Sequence, residues 1–279
     1  MKARLHYENI FWITLVHVGA LCAIPFFSWS ALGVAVLLLF TISPIGINLT
    51  YHRLLCHRSF KCPLWVEYAG ATIAAMSAQG SMLLWVAEHR LHHRYSDTEK
   101  DPHNSRLGFF HAHVGHLFRH KSFEDDPKAW STYVPDLLVH PYYRFLSKYF
   151  VLFVALPAPL LYWWGGVSFV MWGVFVRIVL MWHGTWSVNS ASHLWGYQTF
   201  QTKDNSRNCW WVGWFAAGEG WHNNHHAFPS SAAHGREWYE FDLTYQIIRG
   251  LKALGLATDV KTPVFSAPKG IVAPSLEYA

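Results

Sequence analysis

The chain has 279 residues, enough for one large domain or two small ones, with a formal net charge of +5. With 52% hydrophobic and only 14% charged residues it does not have the composition of a soluble protein, and no Lys/Arg run offers a nucleic-acid groove. The 16 tryptophans and 13 tyrosines suit surfaces at a lipid–water interface, and Cys22, Cys56, Cys62 and Cys209 contain no Cys-x-x-Cys pair and read as reduced thiols.

Residues 1–9 are short and net basic, with no convincing signal-peptide cleavage site. An apolar run from Ile10 to about Trp29 follows, then an uncharged turn over 28–33. A second run spans Ala31 to about Tyr51, with Pro44 expected to bend it. Each is close to the roughly 20 residues that a bilayer core requires. Lys2, Arg4, Arg53 and Arg58 flank the open end of this hairpin, so the positive-inside rule places both ends in the cytoplasm. His52 and His57 stand at the exit of the second run. On a regular helix they would point about 140° apart, so His57 is expected just beyond the final turn, where the chain unwinds.

The stretch Leu64–Ala87 passes as apolar, yet a crossing there would put the next histidines across the bilayer from His52 and His57. It is therefore expected to be interfacial or buried in a cytoplasmic cap. Next comes Trp85-Val-Ala-Glu-His89-Arg-Leu-His92-His93, whose histidines at i, i+3 and i+4 share a helix face. Residues 94–148 are polar and read as cytoplasmic. A second hairpin runs from Tyr149 to Trp164, turns at Gly165-Gly166 and returns from Val167 to about Val188, with Arg177 mid-span serving either packing or a substrate tunnel. Asn189 and His193 lie one turn apart at its exit. Gly218-Glu-Gly-Trp-His222-Asn-Asn-His225-His226 then repeats the earlier histidine spacing before a polar tail.

His52, His57, His89, His92, His93, Asn189, His193, His222, His225 and His226 are thus ten candidate ligands in four compact groups on one side of the membrane. A structural zinc site uses four. Ten donors divide into two sets of five with room for an exogenous ligand, as oxygen-activating iron needs. Glu88, Asp101, His103 and Glu219 neighbour these groups and are expected to orient ligands by hydrogen bonding. The fold expected is an all-α integral membrane protein, one domain over 1–279. Four transmembrane helices in two hairpins (about 10–51 and 149–188) carry a cytosolic helical cap (52–148 and 189–279) with a dinuclear metal site.

These boxes, with Asn189-Ser-Ala-Ser-His193 and Asn205-Ser-Arg-Asn-Cys-Trp-Trp, resemble the membrane fatty acid desaturases over nearly the whole chain, particularly bacterial and cyanobacterial Δ9 acyl-lipid or acyl-thioester members. The resemblance implies insertion of a cis double bond, most simply Δ9, into a saturated acyl chain with O2, two electrons and two protons at two Fe ions. The nine histidines would bind directly and Asn189 through a water; zinc can substitute in purified protein. Gln79, Trp85 and Thr185 match residues that enclose the bend of the substrate tunnel in acyl-CoA relatives. Ten enclosed methylenes would contribute about 8 kcal/mol.

Two polar contacts to a CoA nucleotide in those relatives are replaced by Gly80 and Ala87, which favours a glycerolipid or acyl-carrier thioester over acyl-CoA, although Lys121 or Arg119 could hold a phosphate. Residues 227–279 are too few for a fused cytochrome b5-like segment, so an external donor is expected, ferredoxin or else cytochrome b5, in a bacterial inner or thylakoid membrane rather than the endoplasmic reticulum. Against this stand a hydroxylase or other oxygenase on the same scaffold and, in another class, a membrane metal-binding or haem electron-carrier protein. A transporter would place its ligands near the bilayer midplane, where only His17 and His183 lie, and a zinc hydrolase would need a helical His-Glu-x-x-His.

Overall fold

The computed structural model describes residues 4–263; Lys2 and the segment 264–279 of the expected cap lie outside them. Among the described residues the protein is helical throughout, with only isolated β-bridges.

Helix α1 (Tyr7–Cys22) begins where His6 Nδ1 accepts the Asn9 backbone N–H at 3.3 Å, and none of its residues is buried. The reversal comes earlier than the expected 28–33. A single 3-10 turn over Ile24–Phe26 contains Pro25, and the Ser28 hydroxyl accepts the Ala31 N–H at 3.1 Å to cap the next helix. Proline at a first helical turn and serine at an N-cap are the residues that set such a boundary.

That next helix, α2, runs Trp29–Cys56 without interruption. Its first part, Trp29–Thr41, is α-helical; from Ile42 to Cys56 it is wound as a π-helix. The change begins two residues before Pro44, which has no N–H to give to a regular i→i−4 ladder. Helix α3 (Leu64–Ala75) packs closely on the π-wound half, where a Cβ on Gly46 would lie 2.7 Å from Ala74 Cα. At twelve residues, about 18 Å, α3 is too short to cross a bilayer core of about 30 Å. Helix α4 (Met82–Tyr95) follows, then short helical turns and α5 (Pro141–Lys148).

The chain continues through α6 (Phe150–Ala155) and α7 (Pro157–Val170), which breaks at Gly165 and Gly166; Gly166 takes φ +64°, a conformation that only glycine adopts freely. A π-wound turn, Met171–Val176, leads into α8 (Arg177–Leu194). This helix continues past Val188 and carries Asn189 and His193 within it. Arg177 is fully buried, its Nε donating to Gly173 O at 3.0 Å and Nη1 to Met76 O at 2.9 Å, so it ties α8 to the end of α3. Two stretches are long and apolar enough to cross a membrane, Trp29–Cys56 and Phe150–Leu194, the second reversing at the glycine pair.

Three further helices, α9 (Trp210–Phe215), α10 (His222–Ala227) and α11 (Leu243–Ala253), complete the fold. Leu54, Leu55, Val86, Leu137, Tyr143 and Ile248 bind the π-wound end of α2 to α4, α5 and α11 in one buried core. That core fixes the histidine-bearing ends of α2 and α4 against one another.

Candidate metal centre

Four helices bring nitrogen donors to one place. Nε2–Nε2 separations are 2.8 Å for His57–His89, 3.0 Å for His52–His225 and 2.9 Å for His93–His225. These five form one group; His92, His193, His222 and His226 form a second, with His193–His222 at 3.1 Å. Neither helical trio stays together. Adjacent residues on a helix diverge by about 100°, so α4 sends His89 and His93 to the first group and His92 to the second, and α10 divides His225 from His222 and His226 in the same way.

The pair His52 and His57 meets because the helix is not regular there. The His57 N–H reaches His52 O at 3.1 Å, an i→i+5 bond, and the wider winding leaves the two ring centroids 4.8 Å apart. Asn189 lines a cavity that His52 and His89 of the first group and His92 and His222 of the second also face.

The outward nitrogens show how the inward ones are set. His92 Nδ1 lies 3.0 Å from Asp101, His193 Nδ1 3.0 Å from Asp97, His226 Nδ1 2.7 Å from Asp204 and His52 Nδ1 2.7 Å from Glu219. With Nδ1–H donated to Asp101, Asp97 and Asp204, the Nε2 atoms of His92, His193 and His226 turn lone pairs inward, while His52 meets Glu219 as a close ion-pair contact. His92 and His226 Nε2 are buried without a hydrogen-bond partner. Converging buried lone pairs are costly unless a cation lies between them, so the donor set fits two nitrogen-ligated metal ions.

Electrostatics favour the neutral form at most of the nine histidines; at His92 burial acts the same way, but Asp101 outweighs it and raises the value. Burial, reinforced by neighbouring imidazoles, holds His57, His89, His93, His222 and His225 well below the usual histidine value, leaving them neutral and able to ligate. Burial alone would raise the Asp101 and Asp204 carboxyls, yet the adjacent histidines pull both well below the carboxylate range.

Glu219 is the hub of a wider network. Arg53, wholly buried, donates to Glu219 Oε1 at 2.8 Å and to Asp242 at 2.9 Å. His234 Nδ1 approaches Glu219 Oε2 at 3.2 Å, off the line of a hydrogen bond. Burial opposes ionisation of Glu219, but Arg53, His234 and His52 outweigh it and hold the carboxyl well below its ordinary value. His103 rests against His92, ring centroids 4.2 Å apart, with its backbone N–H on Asp101 at 3.1 Å. Glu88 instead takes Lys121 Nζ at 3.1 Å, and Lys121 also meets Glu124, all three mostly buried. Lys121 is thereby spent on two carboxylates.

Asp97, Asp204, Arg53, Asp242 and His234 carry roles that the sequence reading missed. Asp97 and Asp101 stand four apart just after α4, and Asp204 precedes the Asn205-Ser-Arg-Asn motif; only that nearness to the histidine boxes signalled them.

Gln79, Trp85 and Thr185 come together. The Gln79 carboxamide accepts Trp85 Nε1–H at 3.0 Å and donates to Thr185 Oγ1 at 2.9 Å. Trp85 and Thr185 line the cavity with Ile47, Val188 and Ala216, and His52, His89, His92 and His222 face it from both groups. It is a largely apolar space bordered by two sets of metal donors.

Residues 27–259 match the family model described as fatty acid desaturase. The sn-1 stearoyl-lipid 9-desaturase of Anabaena variabilis is 48% identical over 93% of this chain and 95% of its own. The sn-2 palmitoyl-lipid 9-desaturase of Nostoc sp. (strain 36) is 46% identical over 96% and 93%. Acyl-CoA 5-desaturase AL21 of Anemone leveillei is 45% identical over 91% and 80%.

Proposed function

The chain belongs to the fatty acid desaturase family, and on that premise we propose that it places a cis double bond at Δ9 of a saturated acyl chain carried on a membrane glycerolipid. One methylene pair, O2, two electrons and two protons give one carbon–carbon double bond and two waters. The observation that carries the reading is the apolar cavity faced by donors of both histidine groups and lined by Trp85 and Thr185, which Gln79 joins.

Two iron ions bound by the five- and four-nitrogen groups, the second completed through Asn189 and a water, would supply the O2-reducing chemistry, with zinc able to displace iron during purification. The chain's own residues do the rest. Ile47, Val188 and Ala216 present apolar wall to methylenes, and Gln79, Trp85 and Thr185 fix where the chain bends past the ligands. Asp97, Asp101 and Asp204 hold His193, His92 and His226 in the ligating tautomer, and Glu219 sets its charge beside His52.

The glycerolipid assignment is supported by relatives named for acyl-lipid substrates, by Gly80 and Ala87, and by the capture of Lys121 between Glu88 and Glu124. The four-span arrangement is supported by the exposed apolar α1, by Trp29–Cys56 and by the glycine reversal inside Phe150–Leu194, with the metal donors on a cytosolic cap. The setting is a bacterial inner or thylakoid membrane, with electrons from a separate carrier such as ferredoxin or cytochrome b5.

The test uses metal-loaded protein in nanodiscs, with labelled stearoyl chains supplied either as a diacyl glycerolipid or as stearoyl-CoA. Product on the intact glycerolipid is expected. Product only from the CoA ester would replace the lipid assignment with an acyl-CoA one.

A further inference from the structure

Helix α9 is built inside out for a cap helix. Trp210, Trp211, Trp214 and Phe215 fall within about 140° of its circumference, and all four are exposed, Trp210 at 67% and Trp214 at 57%. The opposite face is Val212 and Gly213, both buried; a Cβ on Gly213 would lie 2.7 Å from the Trp221 ring. The neighbouring segment extends the aromatic surface: Trp238 is 93% exposed, and Phe241 stacks on Trp214 with centroids 5.3 Å apart. Residues 208–218 contain no charge.

Two observations identify what covers this face. Phe215 lies against Gly184 of α8, 3.5 Å from where a Cβ would stand. Gly184 is ten residues before Leu194, about 15 Å down the helix from its cap end, so α9 lies beside the part of α8 proposed to be in lipid, and the two apolar surfaces are continuous. Directly behind α9, Ala216 lines the cavity that the histidine donors border, and its carbonyl accepts the Asn48 side chain at 3.0 Å. Tryptophan-rich surfaces concentrate at the headgroup level of bilayers.

We propose that the aromatic face formed by Trp210, Trp211, Trp214, Phe215, Trp238 and Phe241 is seated in the bilayer interface and is where a glycerolipid delivers its acyl chain to the cavity behind Ala216. The proposal rests on the glycerolipid reading above. It makes the cap itself part of the membrane-bound surface, and it gives lipid a lateral approach that a water-borne thioester does not need.

Cys22 and Cys62 are first replaced by Ala, leaving buried Cys56 and Cys209. Nitroxide labels are then attached at Trp214→Cys, Trp238→Cys and Lys203→Cys in metal-loaded protein in nanodiscs. Power-saturation measurements should show labels 214 and 238 relaxed more by oxygen than by a water-soluble nickel complex, with the reverse at 203. Nickel access at 214 and 238 equal to that at 203 would overturn the proposal, and so would exclusion of both reagents, which would mean a protein partner. In parallel, Trp210→Ser/Trp214→Ser should raise KM for bilayer glycerolipid several-fold; an unchanged KM would overturn the delivery role. Should wild-type protein yield no product from glycerolipid while its labels sit in lipid, the glycerolipid reading fails instead.

Discussion

The backbone N–H of His57 bonds to the carbonyl of His52 at 3.1 Å, spanning five residues where a regular helix spans four. This bond closes the π-wound stretch Ile42–Cys56 and leaves both imidazoles in the same five-nitrogen group. An Ala inserted between Leu54 and Leu55 would break the five-residue register and turn His57 away from His52. Bound metal should fall from about two ions per chain to about one, and product formation should be lost. An Ala inserted after the exposed Asp126, between two short helices, should leave metal content intact. Full metal content after the first insertion would show that the winding is incidental.

Asp204 holds His226 Nδ1 at 2.7 Å. Asp204→Asn keeps the shape but removes the charge that fixes the ligating tautomer. Partners of this kind typically govern metal affinity or activity by 10–100-fold. Titration with Fe(II), together with circular dichroism to establish the fold, should show a loss in that range; an unchanged affinity would deny Asp204 this role.

Arg53 is fully buried between Glu219 and Asp242. Arg53→Met leaves two carboxylates without their cation, and breaking such a pair costs about 3–5 kcal/mol. Thermal unfolding in detergent should show a large drop in Tm and early loss of the His52 group. An unaltered Tm would mean that the network contributes little.

The depressed histidines fix the sign of a pH effect. His57, His89, His93, His222 and His225 titrate well below 6.5 in the fold, so at pH just below that value the unfolded chain binds more protons than the folded one. Their contribution to stability is complete above about 6.5 and is lost as pH falls through the lower folded values. Chelator-stripped protein should therefore melt progressively lower between pH 7.5 and 5.5. Metal-loaded protein should resist over the same range until it releases its ions. A flat Tm in the stripped protein would contradict the burial of these rings.

The residues that could be read from the sequence were those whose partners are local. The trios at 89, 92, 93 and at 222, 225, 226 follow from helical spacing alone, and their convergence agrees with an α3 that, at twelve residues, is too short to span a bilayer core. The splitting of each trio between two groups was less visible, because spacing gives the face but not where two centres lie beside it. Pro25 and Ser28 moved the first reversal five residues earlier than the hydropathy change suggested. His57 stands just past the end of α2, as its spacing from His52 required, but the π winding that brings the two rings together has no mark in the spacing. Asp97 meets His193 across 96 residues and Arg53 meets Asp242 across 189; contacts of that range are made by packing and have no local signature.

The most direct measurement is gas chromatography–mass spectrometry of membrane lipids from a host lacking unsaturated fatty acids, expressing this chain with a reduced one-electron carrier. Wild-type protein should produce cis double bonds between carbons 9 and 10 of stearoyl or palmitoyl chains, and His92→Ala should produce none. Hydroxylated chains in place of alkenes, or equal unsaturation from His92→Ala, would contradict a histidine-held metal pair performing desaturation.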